Sequence, residues 1–274
     1  MEKKLIFLDI DGTLTVPGSN IPPASAQEAV KEARGQGHKV FLCTGRNPGM
    51  LAPLMRYGFD GYVGSGGGCV VLEDQILFDC PMSRRQQETA MELLAKNGVF
   101  RTLEAWDAAY GDRGMAEFLN RTSGGNSELV RWRKALEEDL NIRPIEEYDG
   151  RPLYKIVYMF AKEEQLREAR LALEEDFEFL VQDLAGANCL NGEMINRKFS
   201  KGSGVKRIAA ALGTDLKDTI GFGDSMNDLE MIRAVGTSVC MGNGSPALKK
   251  ICDIVCPPVE EDGLARAFRD LGLI

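Results

Sequence analysis

The sequence predicts an α/β protein: a Rossmann-like parallel-sheet core with an α+β cap domain inserted into it. Three observations carry this. Short apolar strands alternate with helical stretches in the first third of the chain, and the same rhythm returns in the last third. The stretch between them differs in composition, being rich in Glu and Arg with longer helices. Alternating strands and helices imply parallel strands with helices on the faces of the sheet.

Taken in order, residues 4–9 read as a strand and 23–36 as a helix with apolar Ala24, Ala26, Ala29, Val30 and Ala33. HKVFLCTG (38–45) is a second strand, NPGMLAPLMRYG a helix, and DGYVGS a third strand. In the last third, 200–213 is an amphipathic helix, DTIGFGD (218–224) a strand and MNDLEMIRAVG a helix; TSVCMG and CDIVCP are two further strands. The middle carries helices over 84–97, 127–140 and 163–174, with strand-like FRTLEA, LYKIVYMF and FEFLVQ among them. The core is accordingly expected over 1–81 and 187–274, and the cap over 82–186.

Composition narrows the function. With 274 residues and 44% hydrophobic content the chain can build one large or two modest cores. A net charge of −8 argues against nucleic acid or an anionic membrane as the main partner. Only four consecutive apolar residues precede Asp9, too few for a signal-peptide core, and no run of about 20 apolar residues occurs. A cytoplasmic protein with no obligate protein partner is expected. The seven cysteines are odd in number and His38 is the only histidine, which favours buried free thiols over disulfides or zinc.

The chemistry is concentrated at strand ends. FLDIDGTLT (7–15) places Asp9 and Asp11 two apart at the end of an apolar run, so both carboxylates share a face, and Gly12 supplies the turn. In open parallel sheets ligands bind beyond the carboxyl ends of the strands. The second strand ends in Thr44-Gly45-Arg46, the third in Gly64-Ser65-Gly66, and a later one in Asp224 followed by Asn227 and Asp228. Lys201 opens a helix, from which its amine can reach the same crevice.

Clustered carboxylates repel unless a cation sits among them, and Asp9 with Asp224 suits Mg²⁺, which takes oxygen ligands and keeps several waters. Thr44 offers a hydroxyl, Lys201 a point charge and the glycines backbone N–H groups, which are parts for holding a phosphoryl group. One carboxylate can then serve as nucleophile and another as acid/base. Singly, each residue has a plainer role: a solvated strand end, a helix cap, a surface charge, or a first-turn acid favoured by the helix dipole. It is their joint occurrence, each at a strand end or helix start, that points to chemistry.

DIDGT, the strand-ending Thr44, Lys201 in SKG and GDSMND resemble the four motifs of haloacid dehalogenase-like phosphatases. The run from NGEMINRKFSKGSG through GFGDSMNDLEMIRAVGTSVCMGNGSPALKK to EEDGL is similar to the carboxyl half of the Cof-like branch, whose cap lies between the second and third motifs. The resemblance implies Asp9 as the nucleophile that forms an aspartyl-phosphate and Asp11 as general acid/base. It implies Mg²⁺ on Asp9, Asp224 and the backbone carbonyl of Asp11, with Asp228 behind, orienting metal waters or Lys201. Thr44, Gly45, Lys201 and Asn227 would hold the phosphoryl group, and Arg46 would face the substrate. One departure stands out: relatives carry Asn-Gly after the third strand, where this chain has GSGGG, with Ser65 in place of the amide.

The implied activity is hydrolysis of small phosphorylated metabolites, sugar phosphates foremost, with nucleotide and cofactor phosphates behind. A sugar phosphomutase or a non-catalytic phosphometabolite-binding protein are the alternatives; the full set of Asp9, Asp11, Lys201 and Asp224 disfavours the latter, since binding alone needs no nucleophile. In the cap, Trp106, Tyr110, Arg121 and residues 121–128 are candidate contacts for the leaving group.

Overall fold

Leu5–Leu8, strand β1, is buried on both sides, as befits a parallel strand covered by helices on each face. The computed structural model describes residues 2–115, 117–118, 142–183 and 189–274. In the same sheet follow β2 (Lys39–Cys43), β3 (Gly61–Gly64), β4 (Cys69–Leu72) and β5 (Gln75–Asp79). A second sheet contains β6 (Phe100–Ala105), β7 (Ala109–Gly111), β8 (Ile142–Pro144), β9 (Leu153–Phe160), β10 (Phe177–Asp183) and β11 (Leu190–Asn196). The first sheet is completed by β12 (Thr219–Gly223), β13 (Thr237–Cys240) and β14 (Ile254–Val255).

The first sheet has the order β14-β13-β12-β1-β2-β3-β4-β5. Every pair from β14 to β3 is parallel, and β3–β4 and β4–β5 are antiparallel. The chain steps outward from β1 to β3 on one side and from β12 to β14 on the other, so the order reverses at β1, where such sheets open a crevice. Leu8 lies opposite both Leu42 and Phe222. That register brings the residues just beyond, Asp9, Thr44 and Asp224, out at one edge.

Alternation along the strands sorts two cores. Ile6, Leu8, Val40, Leu42, Ile220 and Phe222 pack with Ala29, Val30 and Ala33 of the helix Ala24–Gly35 and with Phe268 of the helix Gly263–Asp270. Leu5, Phe7, Phe41 and Cys43 face the other way, against Val205 and Ile208 of the helix Lys201–Ala211 and Met231 and Ile232 of the helix Leu229–Ala234. Phe7 and Phe41 stack with their ring centres 5.2 Å apart.

Two compact units emerge, one of Met1–Arg46, Leu51–Asp79 and Phe199–Ile274, the other of Asn47–Met50 and Cys80–Lys198. The first unit therefore resumes at Phe199 rather than at the expected 187. The reason is β11, which pairs antiparallel with both β10 and β9 and so belongs to the second sheet. That sheet has the order β10-β11-β9-β6-β7-β8. Leu103, Ile156, Tyr158 and Met194 pack against Ala90 and Leu94 of the helix Arg84–Lys96 and Ala169 and Leu173 of the helix Arg167–Leu173.

Several boundaries differ from expectation. The antiparallel β4–β5 hairpin was not expected; its two-residue turn contains Glu73 at φ 53° rather than a glycine. The segment 163–174 begins as a 3₁₀ turn, Glu163–Leu166, and only then becomes the helix Arg167–Leu173. MNDLEMIRAVG likewise splits into a 3₁₀ turn, Met226–Asp228, and the helix Leu229–Ala234. The helix expected over 127–140 lies outside the described residues. Among the described residues no helix is long and apolar enough to cross a membrane, and all seven cysteines are free thiols.

Candidate active site

Asp9 leaves β1 with its N–H bonded to Phe222 O at 3.0 Å, a last rung of the β1–β12 ladder that holds its carboxylate at the strand mouth. Lys201 reaches it from the helix it begins. Ser200 caps that helix, accepting from Ser203 N–H at 3.2 Å, while Ser203 Oγ accepts from Ser200 N–H at 2.9 Å. Glycines let the helix approach closely: a Cβ on Gly204 would lie 2.4 Å from Val63, and one on Gly202 would lie 2.1 Å from Glu230 O. The SKGSG spacing is thus a packing requirement as well as a motif.

The approach delivers Lys201 Nζ to 2.7 Å from Asp9 Oδ1 and 2.6 Å from Asp228 Oδ1. Asp9 and Lys201 are each 4% exposed and Asp228 is 0% exposed. Asp228 Oδ2 accepts the N–H groups of Asp224 at 3.0 Å and Ser225 at 3.2 Å, so one carboxylate fixes both the lysine and the loop that carries Asp224. Burial is the largest influence on Asp9 and, with the charges of Asp228 and Asp224, pushes its pKa above the ordinary carboxylate range against the pull of Lys201. For Lys201 burial acts against the charge, but Asp228 and Asp9 outweigh it and raise the pKa.

Asp9, Asp224 and Asp228 each offer a carboxylate oxygen, and these lie within 4.8 Å of one another. An all-oxygen donor set of this kind fits Mg²⁺. Gly12, at φ 86°, keeps the approach open, because a Cβ there would fall 2.4 Å from Asp224 Oδ2. Asn243, which sequence reasoning passed over, donates through Nδ2 to Gly12 O at 2.8 Å and accepts Val259 N–H at 2.9 Å, tying the turn after Asp11 to the 3₁₀ turn Val259–Glu261. Its place in a GNG loop carries no chemical signal of its own.

Thr44 is buried, and its Oγ accepts Arg46 N–H at 3.1 Å. Gly45 lies between them at the same strand end. Arg46 is turned onto Asp11: Nε donates to Oδ2 at 2.9 Å and Nη2 to Oδ1 at 2.8 Å. Asn227 is exposed, and its Oδ1 accepts from Ser225 Oγ at 2.8 Å. Ser65 is buried at φ 50°, and its N–H donates to Arg46 O at 2.8 Å. The GSGGG run has a steric reason: a Cβ on Gly67, at φ 111°, would sit 2.3 Å from Ser200 O. The loop after β3 thus lies against the cap of the Lys201 helix. In the second unit, Tyr110 is a core residue packed edge-on against Tyr148, and Trp106 packs edge-on against Tyr154. Arg121 and residues 121–128 lie outside the described residues.

The family model for haloacid dehalogenase-like hydrolases matches residues 6–268. The chain belongs to this family. Within it, YkrA of Bacillus subtilis (strain 168) is 33% identical over 276 residues, covering 100% of both chains. Phosphatase YwpJ of the same strain is 26% identical over 288 residues, covering 98% of this chain and 99% of its own. Among solved structures, a subclass IIB sugar phosphatase of the superfamily superposes with a TM-score of 0.76 at 24% identity, covering 99% of this chain and 100% of its own. At that identity the likeness concerns the fold alone.

Proposed function

We propose that this haloacid dehalogenase-like hydrolase is a Mg²⁺-dependent phosphatase acting on small phosphorylated metabolites, sugar phosphates foremost, through an aspartyl-phosphate on Asp9. The observation that carries the reading is the buried contact of Lys201 with Asp9 and Asp228, beside Asp224, at the switch point of the sheet. Family membership and a phosphatase related along its full length support the reaction class. The substrate class rests on less: a sugar phosphatase that shares the fold.

Asp9 attacks phosphorus in line; the bond from phosphorus to Asp9 forms as the bond to the leaving oxygen breaks. Asp11 gives that oxygen its proton, so the leaving group departs as an alcohol. Asp11 then takes a proton from water, whose oxygen attacks phosphorus and releases inorganic phosphate and Asp9. Thr44, Gly45 and Asn227 bind the phosphoryl oxygens, and Lys201 neutralises their charge where burial strengthens the attraction. Asp9, Asp224 and the Asp11 carbonyl would hold Mg²⁺, which would supply further neutralisation of the phosphate dianion. Residues 80–198, as the cap, confer discrimination among leaving groups.

A phosphate-release screen over sugar, nucleotide and cofactor phosphates, with and without Mg²⁺, tests the proposal. Mg²⁺-dependent release that is strongest on a sugar phosphate is expected. No release from any ester would remove the enzymatic reading and leave phosphometabolite binding. Transfer on a sugar bisphosphate without net release would instead identify a mutase.

A further inference from the structure

Arg46 commits four hydrogen bonds to a short arc of the chain. Two go to the Asp11 carboxylate, Nε to Oδ2 at 2.9 Å and Nη2 to Oδ1 at 2.8 Å. Nη1 donates to Asn20 Oδ1 at 2.6 Å, and Nη2 also reaches Ser19 O at 3.4 Å. From the same loop Gly18 N–H donates to Asp11 Oδ1 at 2.9 Å. The side chains of Arg46 and Asp11 are only 12% and 19% exposed, so the pair is partly shielded from water. The root of the arginine is fixed as well, its N–H on Thr44 Oγ and its C=O on Ser65 N–H.

A planar guanidinium bound to both oxygens of a carboxylate fixes the plane of that carboxylate, not merely its charge. Here the fork is itself held from behind by Asn20, so it cannot rotate without breaking a second contact. An arginine serving only as a phosphoryl ligand has no need of Asn20 or of a bidentate hold on Asp11.

We propose that Arg46, anchored by Asn20, is a positioning residue that sets the direction in which the Asp11 carboxyl faces, and hence its ability to protonate the leaving group: Oδ1 keeps the Nη2 and Gly18 N–H bonds, and the proton travels on the lone pair of Oδ2 that Nε does not engage. This rests on the reading of Asp11 as the acid/base. Arg46→Lys keeps the charge and loses the fork; Asn20→Ala keeps the fork and loses its support.

The test compares Asp11→Asn, Arg46→Lys and Asn20→Ala on two substrates, the best alkyl phosphate of the screen and p-nitrophenyl phosphate, with orthovanadate inhibition measured for each. An alkoxide needs a proton and nitrophenolate does not, so Asp11→Asn should slow formation of the phosphoenzyme from the alkyl ester by about 10²–10⁴-fold and from the aryl ester much less. Arg46→Lys and Asn20→Ala should show the same pattern more weakly, with the rapid-mixing rate of phosphoenzyme formation from the alkyl ester falling about tenfold more than from the aryl ester, and vanadate inhibition within about threefold of wild type. If both variants slow phosphoenzyme formation from the two esters alike, or lose vanadate affinity in step with that rate, Arg46 acts on the phosphoryl group and the inference is overturned while the reading of Asp11 stands. If Asp11→Asn itself slows phosphoenzyme formation from both esters alike, the acid/base reading fails and the inference falls with it.

Discussion

Lys201 Nζ lies between Asp9 Oδ1 and Asp228 Oδ1, at 2.7 Å and 2.6 Å, with the three side chains almost wholly out of solvent. One cation therefore offsets two buried carboxylates. Removing it leaves both without their partner, and breaking a buried pair in this way costs about 3–5 kcal/mol. Lys201→Met should lower stability by that order in urea without Mg²⁺, and phosphate release should fall with it. Asp228→Asn keeps the shape, removes one of the two charges and should cost less. An unchanged urea midpoint for Lys201→Met would show that the contact contributes nothing to the fold.

The loop after β3 should govern Lys201 through its glycines. Gly67→Ala would bring a Cβ to 2.3 Å from Ser200 O at φ 111°, and neither backbone can yield without moving the helix cap. A loss of about 1–3 kcal/mol is expected from the φ alone, with a further fall in kcat as Lys201 shifts from Asp9. Gly66, at φ 67°, has nothing within 4 Å of its would-be Cβ. Gly66→Ala should therefore lower stability while sparing kcat. Equal kcat losses in the two variants would separate the loop from Lys201.

Metal dependence is expected from the carboxylate oxygens of Asp9 and Asp224, which lie within 4.8 Å of one another. Chelation should abolish turnover, Mg²⁺ should restore it, and Ca²⁺ should inhibit, because Ca²⁺ accepts bidentate carboxylates and would engage the second oxygen of Asp9. Mg²⁺ should also raise the melting temperature of wild type, an effect lost in Asp224→Asn. Equal rates in Mg²⁺, Ca²⁺ and excess chelator would contradict the assignment.

His38 gives a pH test away from the site. It is buried, and Lys4 N–H donates to its Nδ1 at 3.0 Å, which places the ring proton of the neutral form on Nε2. Burial first, then the charges of Lys3 and Lys4, hold its pKa below the ordinary value. The unfolded chain thus binds this proton more readily than the folded one. His38's contribution to stability is therefore complete above the unfolded pKa of about 6.5 and is lost as pH falls toward the depressed folded value. As the only histidine it can be titrated alone by NMR. A measured pKa at or above that of a free histidine would contradict the burial argument.

Much of this was legible because the strands of the core are short, apolar and end in chemistry. The sequence expects Asp9, Thr44 and Asp224 at one edge because each ends an apolar strand of a parallel sheet, and the register of Leu8 with Leu42 and Phe222 brings them there. The contact of Lys201 with Asp228 was foreseen only as one of two roles, since sequence gives no distances. Sequence alone groups β11 with the core because NGEMIN lies within a run that resembles it, and pairing with β9 and β10 leaves no local trace. The hold of Arg46 and Asn20 on Asp11 was not legible. It depends on a loop whose PGSN tetrapeptide reads as an ordinary turn.

Trapping the phosphoenzyme tests the central claim, that Asp9 is the nucleophile. Asp11→Asn mixed rapidly with p-nitrophenyl phosphate should release a burst of nitrophenol and then stall, because the second step lacks its base. Borohydride reduction of the acid-quenched protein followed by peptide mass spectrometry should convert residue 9, and no other aspartate, to homoserine. Asp9→Asn should be folded, show no burst and give no reduced product. Reduction at another aspartate, or steady phosphate release by Asp9→Asn with contaminating phosphatase excluded, would contradict the account.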